Sequence, residues 1–284
     1  MLAPNISLLK FNIKVIINIS AESVCVILGT MLQSVSVDGM SPPPTPRPGS
    51  PRPDNRHSAQ AKRQKYFRRL FKVSQMDFEF AIWQMIYLMS APQKVYRNFQ
   101  YRKQTKNQWA RDDPAFLVLL SICLCVSSAG FAVVRHLGFY GFFMFLLRTI
   151  FLDCIGSGIL IATALWFVAN NYLQGSVASP QDVEWGFAFD IHLNAFFPVL
   201  ILLHVVQLLL YIPIQSGSFY AVLLANSLWL IAAGYYIYIT FLGYSALPFL
   251  KRTIVLLYPP SITVLIIYVI LLISRINLSQ IFML

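Results

Sequence analysis

Charged residues are scarce in this sequence. Asp, Glu, Lys and Arg together make up 12% of its 284 residues, against roughly 25% in soluble globular domains. Apolar residues make up 57%, and this balance excludes an ordinary soluble domain. Several apolar runs reach the ~18 residues that cross a bilayer as a helix. We therefore expect an all-α, polytopic membrane protein.

Sequence signatures of enzymes and of metal sites are also absent. The chain contains no Walker loop, no GxSxG, no HExxH and no paired catalytic carboxylate motif. Its four cysteines form neither a CxxC nor a Cys and His pair with the spacing of zinc ligands. The sequence thus predicts a non-enzymatic protein without a metal or another cofactor.

Five apolar runs are long enough to span a membrane. We place them at about 115–134, 145–168, 195–214, 220–242 and 254–273. They make up a membrane domain over 114–275. An atypical extension at 1–59, which is proline-rich at 41–53, and a basic segment at 60–113 precede it, and a short tail at 276–284 follows it.

Basic residues set the expected orientation. Residues 41–113 hold fifteen Lys and Arg and five acidic residues, which gives a net charge of +10 immediately before the first span. Basic residues near a span stay in the cytoplasm, so the N-terminus is expected there and, after five crossings, the tail in the lumen. Lys251 and Arg252 then lie on the cytoplasmic side, as the rule requires, whereas Arg135 lies against it.

Residues 60–73 have the pattern of an amphipathic helix. At 100° per residue the aromatic and leucine side chains fall within one arc of about 140°, and the basic side chains lie opposite. Such a helix lies on a membrane surface and binds anionic lipid headgroups. The predicted contact residues, including basic residues further along, are Lys62, Lys65, Tyr66, Phe67, Arg68, Arg69, Phe71, Lys72, Arg97, Arg102 and Lys103.

The sequence leaves two alternative binding partners for the basic segment, RNA and an acidic loop of the same chain. Aromatic residues among Arg and Lys bind RNA when both lie on one face, but here they lie on opposite faces, so weak RNA binding is the expectation. The segment is also complementary in charge to an acidic loop at 171–194. Asp182, Glu184 and Asp190 are the predicted docking residues of that loop.

A few polar residues interrupt the apolar spans. Arg148 and Asp153 lie in the second span, His204 in the third and Asn226 in the fourth. A charge inside a membrane costs at least about 2.5 kcal/mol and therefore indicates a functional or pairing role. We expect Asp153 to be satisfied by His204 or Asn226 as a structural clasp. The alternative is an ion- or proton-coupled carrier that uses Asp153.

Small residues in the second span predict close helix packing. Gly158 and Ala162 form a small-xxx-small pair, which lets two helix backbones approach each other. Gly156, Ser157 and Gly158 resemble a phosphate-binding loop only in composition, because they lie inside an apolar run.

Three long stretches of the sequence resemble one known family. The first, at 61–125, begins AKRQKYFRRLFKVSQMDFEFAIWQ and runs into the first span; the others are DVEWGFAFDIHLNAFFP at 182–198 and GYYIYITFLGYSALPFL at 234–250. Together they are similar to the uncoordinated-fifty (UNC-fifty) family over roughly 60–275.

The resemblance implies a five-span Golgi membrane protein with a cytoplasmic N-terminus. It implies a role in vesicle-mediated protein transport and in acetylcholine receptor trafficking, with nicotinic receptor subunits and large Arf exchange factors as partners. RNA binding and a location in the nuclear inner membrane are further properties ascribed to the family. The family offers no catalytic residues to carry over to this chain.

Overall fold

A computed structural model describes residues 76–97, 113–175 and 182–283. These residues belong to two compact units. The described part of the first unit is 76–83 and 113–115, and everything else described belongs to the second. The predicted amphipathic helix at 60–73, with the contact residues from Lys62 to Lys72, and the contact residues Arg102 and Lys103 lie outside the described residues.

In the first unit, two aspartates fix the starts of two helices. Helix α1 spans Phe78–Ser90 and helix α2 spans Ala115–Val134. The Asp77 carboxylate accepts a hydrogen bond from the Phe80 amide at 3.0 Å and so caps α1. The Asp113 carboxylate accepts from the amides of Asp77 at 2.7 Å and Ala115 at 3.1 Å. One side chain therefore holds both helix starts.

The structure confirms an all-α fold with five helices long and apolar enough to cross a membrane. They are α2, α3 (Phe139–Tyr172), α4 (Trp185–Leu209), α5 (Phe219–Ser245) and α6 (Thr253–Ile273). A short helix at Tyr211–Gln215 follows α4, and the described residues contain no strand beyond one isolated bridge between Gln174 and Leu250. The protein is therefore a multi-pass membrane protein.

The limits of α2, α5 and α6 agree to within three residues with those predicted from the sequence, whereas the limits of α3 and α4 do not. Helix α3 extends beyond the expected 145–168 at both ends. Helix α4 begins at Trp185, ten residues before the expected start. Polar residues such as Asp190 and Asn194 lower the hydropathy of this stretch, and the loop expected at 171–194 is correspondingly short.

Helix α4 is the central helix of the second unit and packs between α3 and α5. On the α3 side Gly158 and Ala162 are buried, as the small-residue pair predicts. A Cβ at Gly243 of α5 would lie 2.8 Å from Cδ1 of Ile191 in α4. Glycine on both neighbours therefore allows α4 to approach them closely.

Helices α2 and α6 pack against different members of this group. Phe116 of α2 packs edge-on against Phe197 of α4, with ring centroids 6.3 Å apart. Helix α6 packs against α5, where the hydroxyls of Ser227 and Tyr268 share a hydrogen bond of 3.1 Å. Most of its side chains are exposed and apolar, as is required of a surface that faces lipid.

Residues 84–97 pack against α4 and α5 in the second unit. This stretch comprises the second half of α1 and a helical turn at 92–97. Tyr235 donates a hydrogen bond to the Met89 carbonyl at 2.6 Å, which satisfies one of the terminal carbonyls of α1. Tyr235 lies ten residues before the end of α5, a depth of about 15 Å at 1.5 Å per residue. The segment therefore lies alongside α5, well before the end of that helix, and Arg97 at the end of the segment is exposed.

The predicted short tail at 276–284 contains a helix. Helix α7 spans Leu278–Met283 and packs against α5. Asn277 donates to the Ile214 carbonyl at 3.0 Å, and Trp229 donates to the Ser279 hydroxyl at 3.1 Å. Asn277 and Ser279 are both buried. A run too short to span the membrane is thus folded back into it.

Candidate functional site: a polar cavity among the spanning helices

Two spanning helices leave the α-helical geometry where they face each other. Helix α3 is π-helical over Arg148–Gly156, and α4 is π-helical over Ile201–Val206. Pro198 precedes the second stretch and removes one backbone donor from α4. Stretches of π-helix are rare and are frequently found at functional sites. Hydropathy alone gives no sign of them.

Both π-helical stretches line one cavity of about 300 Å³ in the second unit. Its apolar wall is rich in aromatic rings, contributed by Phe131, Phe145, Phe196, Trp229 and Phe282. Its polar groups come from Thr149, Asp153, Ser157, His204 and Gln207. The cavity is therefore largely aromatic, with a small number of polar groups on α3 and α4, the composition typical of small-molecule sites.

Asp153 and His204 line the same cavity, but no hydrogen bond joins them. Nδ1 of His204 shares a hydrogen bond of 3.2 Å with the Ser127 hydroxyl of α2. The Asp153 carboxylate makes no hydrogen bond to any described residue. Arg148 is exposed and forms no ion pair with Asp153 in this part of the chain. Of the four polar residues predicted in the spans, Asp153 and His204 thus line the same cavity. The direct hydrogen bond expected between them is not formed.

Asn226 lies elsewhere and holds the C-terminal segment. Its side-chain amide donates to the Ile276 carbonyl at 2.9 Å, and its side-chain oxygen accepts from the Leu278 amide at 3.2 Å. Asn226 therefore anchors α7, which carries Phe282 of the cavity wall. This role was not visible in the sequence, since the partner was assigned to a tail.

The sequence interpretation also missed His192. It included this residue in the acidic loop expected at 171–194, whereas Asp190 and His192 both lie in α4 and His192 is buried. Nε2 of His192 donates to the Cys154 carbonyl at 3.0 Å, because a carbonyl accepts only, and Nδ1 then accepts from the Tyr236 hydroxyl at 2.7 Å. Both ring nitrogens are thus used to join α3, α4 and α5.

Gln207 is the second residue that the sequence did not single out. Its side chain is 3% exposed, borders the cavity and makes no hydrogen bond to the described residues. A glutamine inside an apolar run is the only sequence signal that pointed to it. In the described ranges no three His, Cys, Asp or Glu residues come together as metal ligands. A metal site is therefore not indicated there.

Charged loops meet at the end of the second unit where α3 ends and α4 begins. The Lys251 amide donates to the Leu173 carbonyl at 3.1 Å, and the Gly175 amide donates to the Phe249 carbonyl at 3.1 Å. These bonds join the α3–α4 loop to the α5–α6 loop. The exposed charged side chains at this end, named here the loop platform, are Asp182, Glu184, Lys251 and Arg252.

The loop platform is held firmly to α3. The Asn170 side chain bonds both the amide and the carbonyl of Val183, at 2.8 and 3.2 Å. Trp166 donates to the same carbonyl at 2.8 Å, and Gln174 donates to the Asp182 carboxylate at 3.0 Å. Asp190, the third predicted docking residue, is half-buried within α4 and does not belong to this surface.

Comparison with known proteins identifies relatives over most of the chain. The sequence profile of the UNC-50 family matches residues 66–284. "Protein unc-50 homolog B" of Xenopus laevis is 62% identical over 211 residues, which cover 74% of this chain and 82% of the relative. The Homo sapiens "Protein unc-50 homolog" is 61% identical over 205 residues, covering 72% and 79%, and that of Drosophila melanogaster is 56% identical over 215 residues, covering 75% and 78%. No solved structure matches the chain.

Proposed function

The chain belongs to the UNC-50 family, and we propose that it is a non-enzymatic Golgi membrane protein that supports vesicular protein transport. Its cargo would be membrane receptors of the nicotinic acetylcholine receptor type, delivered to the cell surface. Its cytoplasmic partners would be large Arf exchange factors. The N-terminus would lie in the cytoplasm and the C-terminus in the lumen, because the basic residues cluster before α2.

The loop platform is the observation that carries the partner part of this proposal. Its two loops are hydrogen-bonded to each other and to α3, which fixes the backbone that carries its charged side chains. Asp182 and Glu184 lie beside Lys251 and Arg252 on the side that the positive-inside rule assigns to the cytoplasm. Fixed charges of both signs give a partner orientation and specificity.

The basic segment at 60–113 would hold the same face against the membrane. Its charge attracts anionic lipid headgroups at about 1 kcal/mol for each Lys or Arg near the surface. Its apolar arc would insert at the headgroup boundary. Release of the segment from lipid would free it for an exchange factor or for the acidic residues of the loop platform.

Charge reversal at the loop platform tests this proposal in cells. The double variant Asp182→Lys and Glu184→Lys should keep its Golgi location and lose proximity labelling of the exchange factors, with fewer receptors at the cell surface. Gly217→Lys is the matched control, because a side chain there meets nothing within 4 Å and lies at the opposite end of α4. Unchanged labelling and unchanged receptor delivery in the double variant would contradict the proposal.

A carrier function is the second candidate, and the cavity favours it. Asp153 borders a cavity formed by two interrupted helices, and interrupted helices bind substrates in many transporters. Asp153→Asn separates the two candidates: a carrier would lose ion flux in reconstituted vesicles, whereas a trafficking protein would keep its cargo delivery. RNA binding at the nuclear inner membrane rests on residues 60–111 alone and stays a prediction.

A further inference from the structure

We propose that the cavity between α2, α3, α4 and α5 binds an amphiphile that carries one ammonium group on a short apolar body. The site rests on the geometry of the spanning helices and is independent of the transport proposal. Three features determine the class of ligand: the size of the cavity, its unpartnered polar groups and its aromatic wall.

The volume fits a small molecule. At about 300 Å³, the cavity lies at the lower end of the roughly 300–1,000 Å³ found for ligand pockets. Its wall is mostly apolar, so the larger part of the ligand must be apolar too. A bulky or strongly polar ligand would leave its polar groups without partners.

Gln207 points to a ligand because it is buried and has no partner. Its side chain is 3% exposed and borders the cavity, yet it makes no hydrogen bond to the residues described. Its carboxamide atoms border the cavity and are not among the fully buried unpaired atoms, so a bound molecule can reach them. A ligand that donates to the carboxamide oxygen would supply a hydrogen bond that the described residues do not make.

Asp153 determines the charge of the ligand. Its carboxylate borders the cavity without a hydrogen bond to the described residues. Arg148 on the same helix attracts it electrostatically but is exposed and forms no salt bridge with it. An ammonium group inside the cavity would pair with the carboxylate directly, which a neutral alcohol does not do, so the site favours an ammonium group over a hydroxyl group.

The aromatic wall favours the same cation. Phe131, Phe145 and Trp229 line the cavity together with two further phenylalanines, and aromatic faces attract organic ammonium groups. A metal ion is a poorer fit, because the described residues offer Asp153 and His204 but no third ligand of the usual kind. The Asp153 carboxylate, the Gln207 carboxamide and the aromatic rings therefore all favour an ammonium headgroup.

The test uses the full-length protein in a non-ionic maltoside detergent near neutral pH. A photoreactive octylammonium probe is crosslinked to it, and the modified residues are mapped by mass spectrometry. We expect labelling on α3 and α4 around the cavity, with unlabelled octylammonium competing at least about tenfold better than octanol, because only the ammonium group pairs with Asp153. Equal competition by octanol would mean apolar partitioning only and would overturn the proposal.

Variants connect the labelling to the site. Asp153→Asn and Gln207→Leu should each reduce the labelling severalfold, while Glu79→Gln, which removes an exposed acid that does not line the cavity, should leave it unchanged. Gel filtration and a melting curve show whether each variant is folded. If Asp153→Asn does not fold, the proposal is tested by the labelling of Gln207→Leu alone. Undiminished labelling of Gln207→Leu would overturn the proposal.

Discussion

His192 of α4 donates a hydrogen bond of 3.0 Å to the carbonyl oxygen of Cys154, inside the π-helical stretch of α3. The same ring accepts from Tyr236 of α5 at 2.7 Å. One buried side chain therefore connects three spanning helices at the place where α3 departs from α-helical geometry. Removal of this side chain should weaken the packing of all three helices.

His192→Leu should lower the free energy of unfolding by about 2–5 kcal/mol, because it leaves two buried polar groups unpaired. Tyr236→Phe removes one of the two bonds and should cost about 1 kcal/mol. The double variant should cost less than the sum of the single variants, since the residues are in contact. Denaturant unfolding of the purified protein in detergent measures all three.

Tyr244→Phe is the matched control for Tyr236→Phe. The Tyr244 hydroxyl is buried and has no hydrogen-bond partner in the part of the structure described. Its removal should be neutral or stabilising. A loss of stability equal to that of Tyr236→Phe would show that the space filled by the buried hydroxyl, and not the bond to His192, accounts for the effect.

Gly158→Ala should disturb the contact between α3 and α4. The added Cβ would lie 2.5 Å from Cδ2 and 2.7 Å from Nε2 of His192. We expect a loss of about 1–3 kcal/mol, typical of an overpacked core, measured as a lower midpoint of thermal unfolding. Gly234→Ala in α5 meets nothing within 4 Å and should gain about 0.5–1 kcal/mol from helix propensity. Equal effects of the two changes would contradict this packing.

Asn226→Ala should release α7 from α5. Both of its side-chain bonds go to the C-terminal segment, to Ile276 and Leu278. The amides of residues 277–283 should then exchange with solvent at least about tenfold faster, because local opening becomes less costly. Hydrogen exchange read by mass spectrometry measures this change.

Ser227→Ala provides the comparison for Asn226→Ala. Its hydroxyl bonds Tyr268 of α6 and not α7, so exchange in the C-terminal segment should stay as in the parent protein. Faster exchange in both variants would indicate general loosening of α5. Unchanged exchange in Asn226→Ala would show that other contacts, such as Trp229 with Ser279, are sufficient to hold α7.

His136→Gly should stabilise the protein. His136 follows α2 with φ 52°, and the Leu137 amide donates to the Ala132 carbonyl at 2.9 Å, which is the Schellman arrangement that glycine favours. The left-handed conformation costs other residues about 1–2 kcal/mol, so a gain of about 1 kcal/mol is expected in denaturant unfolding. Arg275→Gly, at the end of α6 with φ 53°, should act in the same direction. A loss of stability in both variants would contradict the assignment of His136 and Arg275 to positions that favour glycine.

The fold could be predicted from the sequence wherever one helix is apolar along its whole length. Helix α2 is such a case, and its limits were predicted to the residue. The start of helix α4 was predicted ten residues too late because Asp190, His192 and Asn194 lower the hydropathy there. Hydropathy treats each residue alone, whereas Asn194 accepts a bond of 2.9 Å from Gln84, a residue 110 positions away.

The candidate site could be predicted only in part for a related reason. Asp153 and His204 were identified because charged and titratable residues are conspicuous in apolar runs. Gln207 and the π-helical stretches have no such signal, and their importance depends on what the fold places opposite them. Asn226 was noted as a polar residue within a span, but its partner lies in a segment too short to be taken for part of the membrane domain.

The bond from Tyr235 to Met89 joins residues 146 positions apart. During synthesis residues 84–97 leave the ribosome long before α5 exists to receive them. The contact can therefore form only after most of the fourth spanning helix has been synthesised, and a chain that ends before Tyr235 cannot form it.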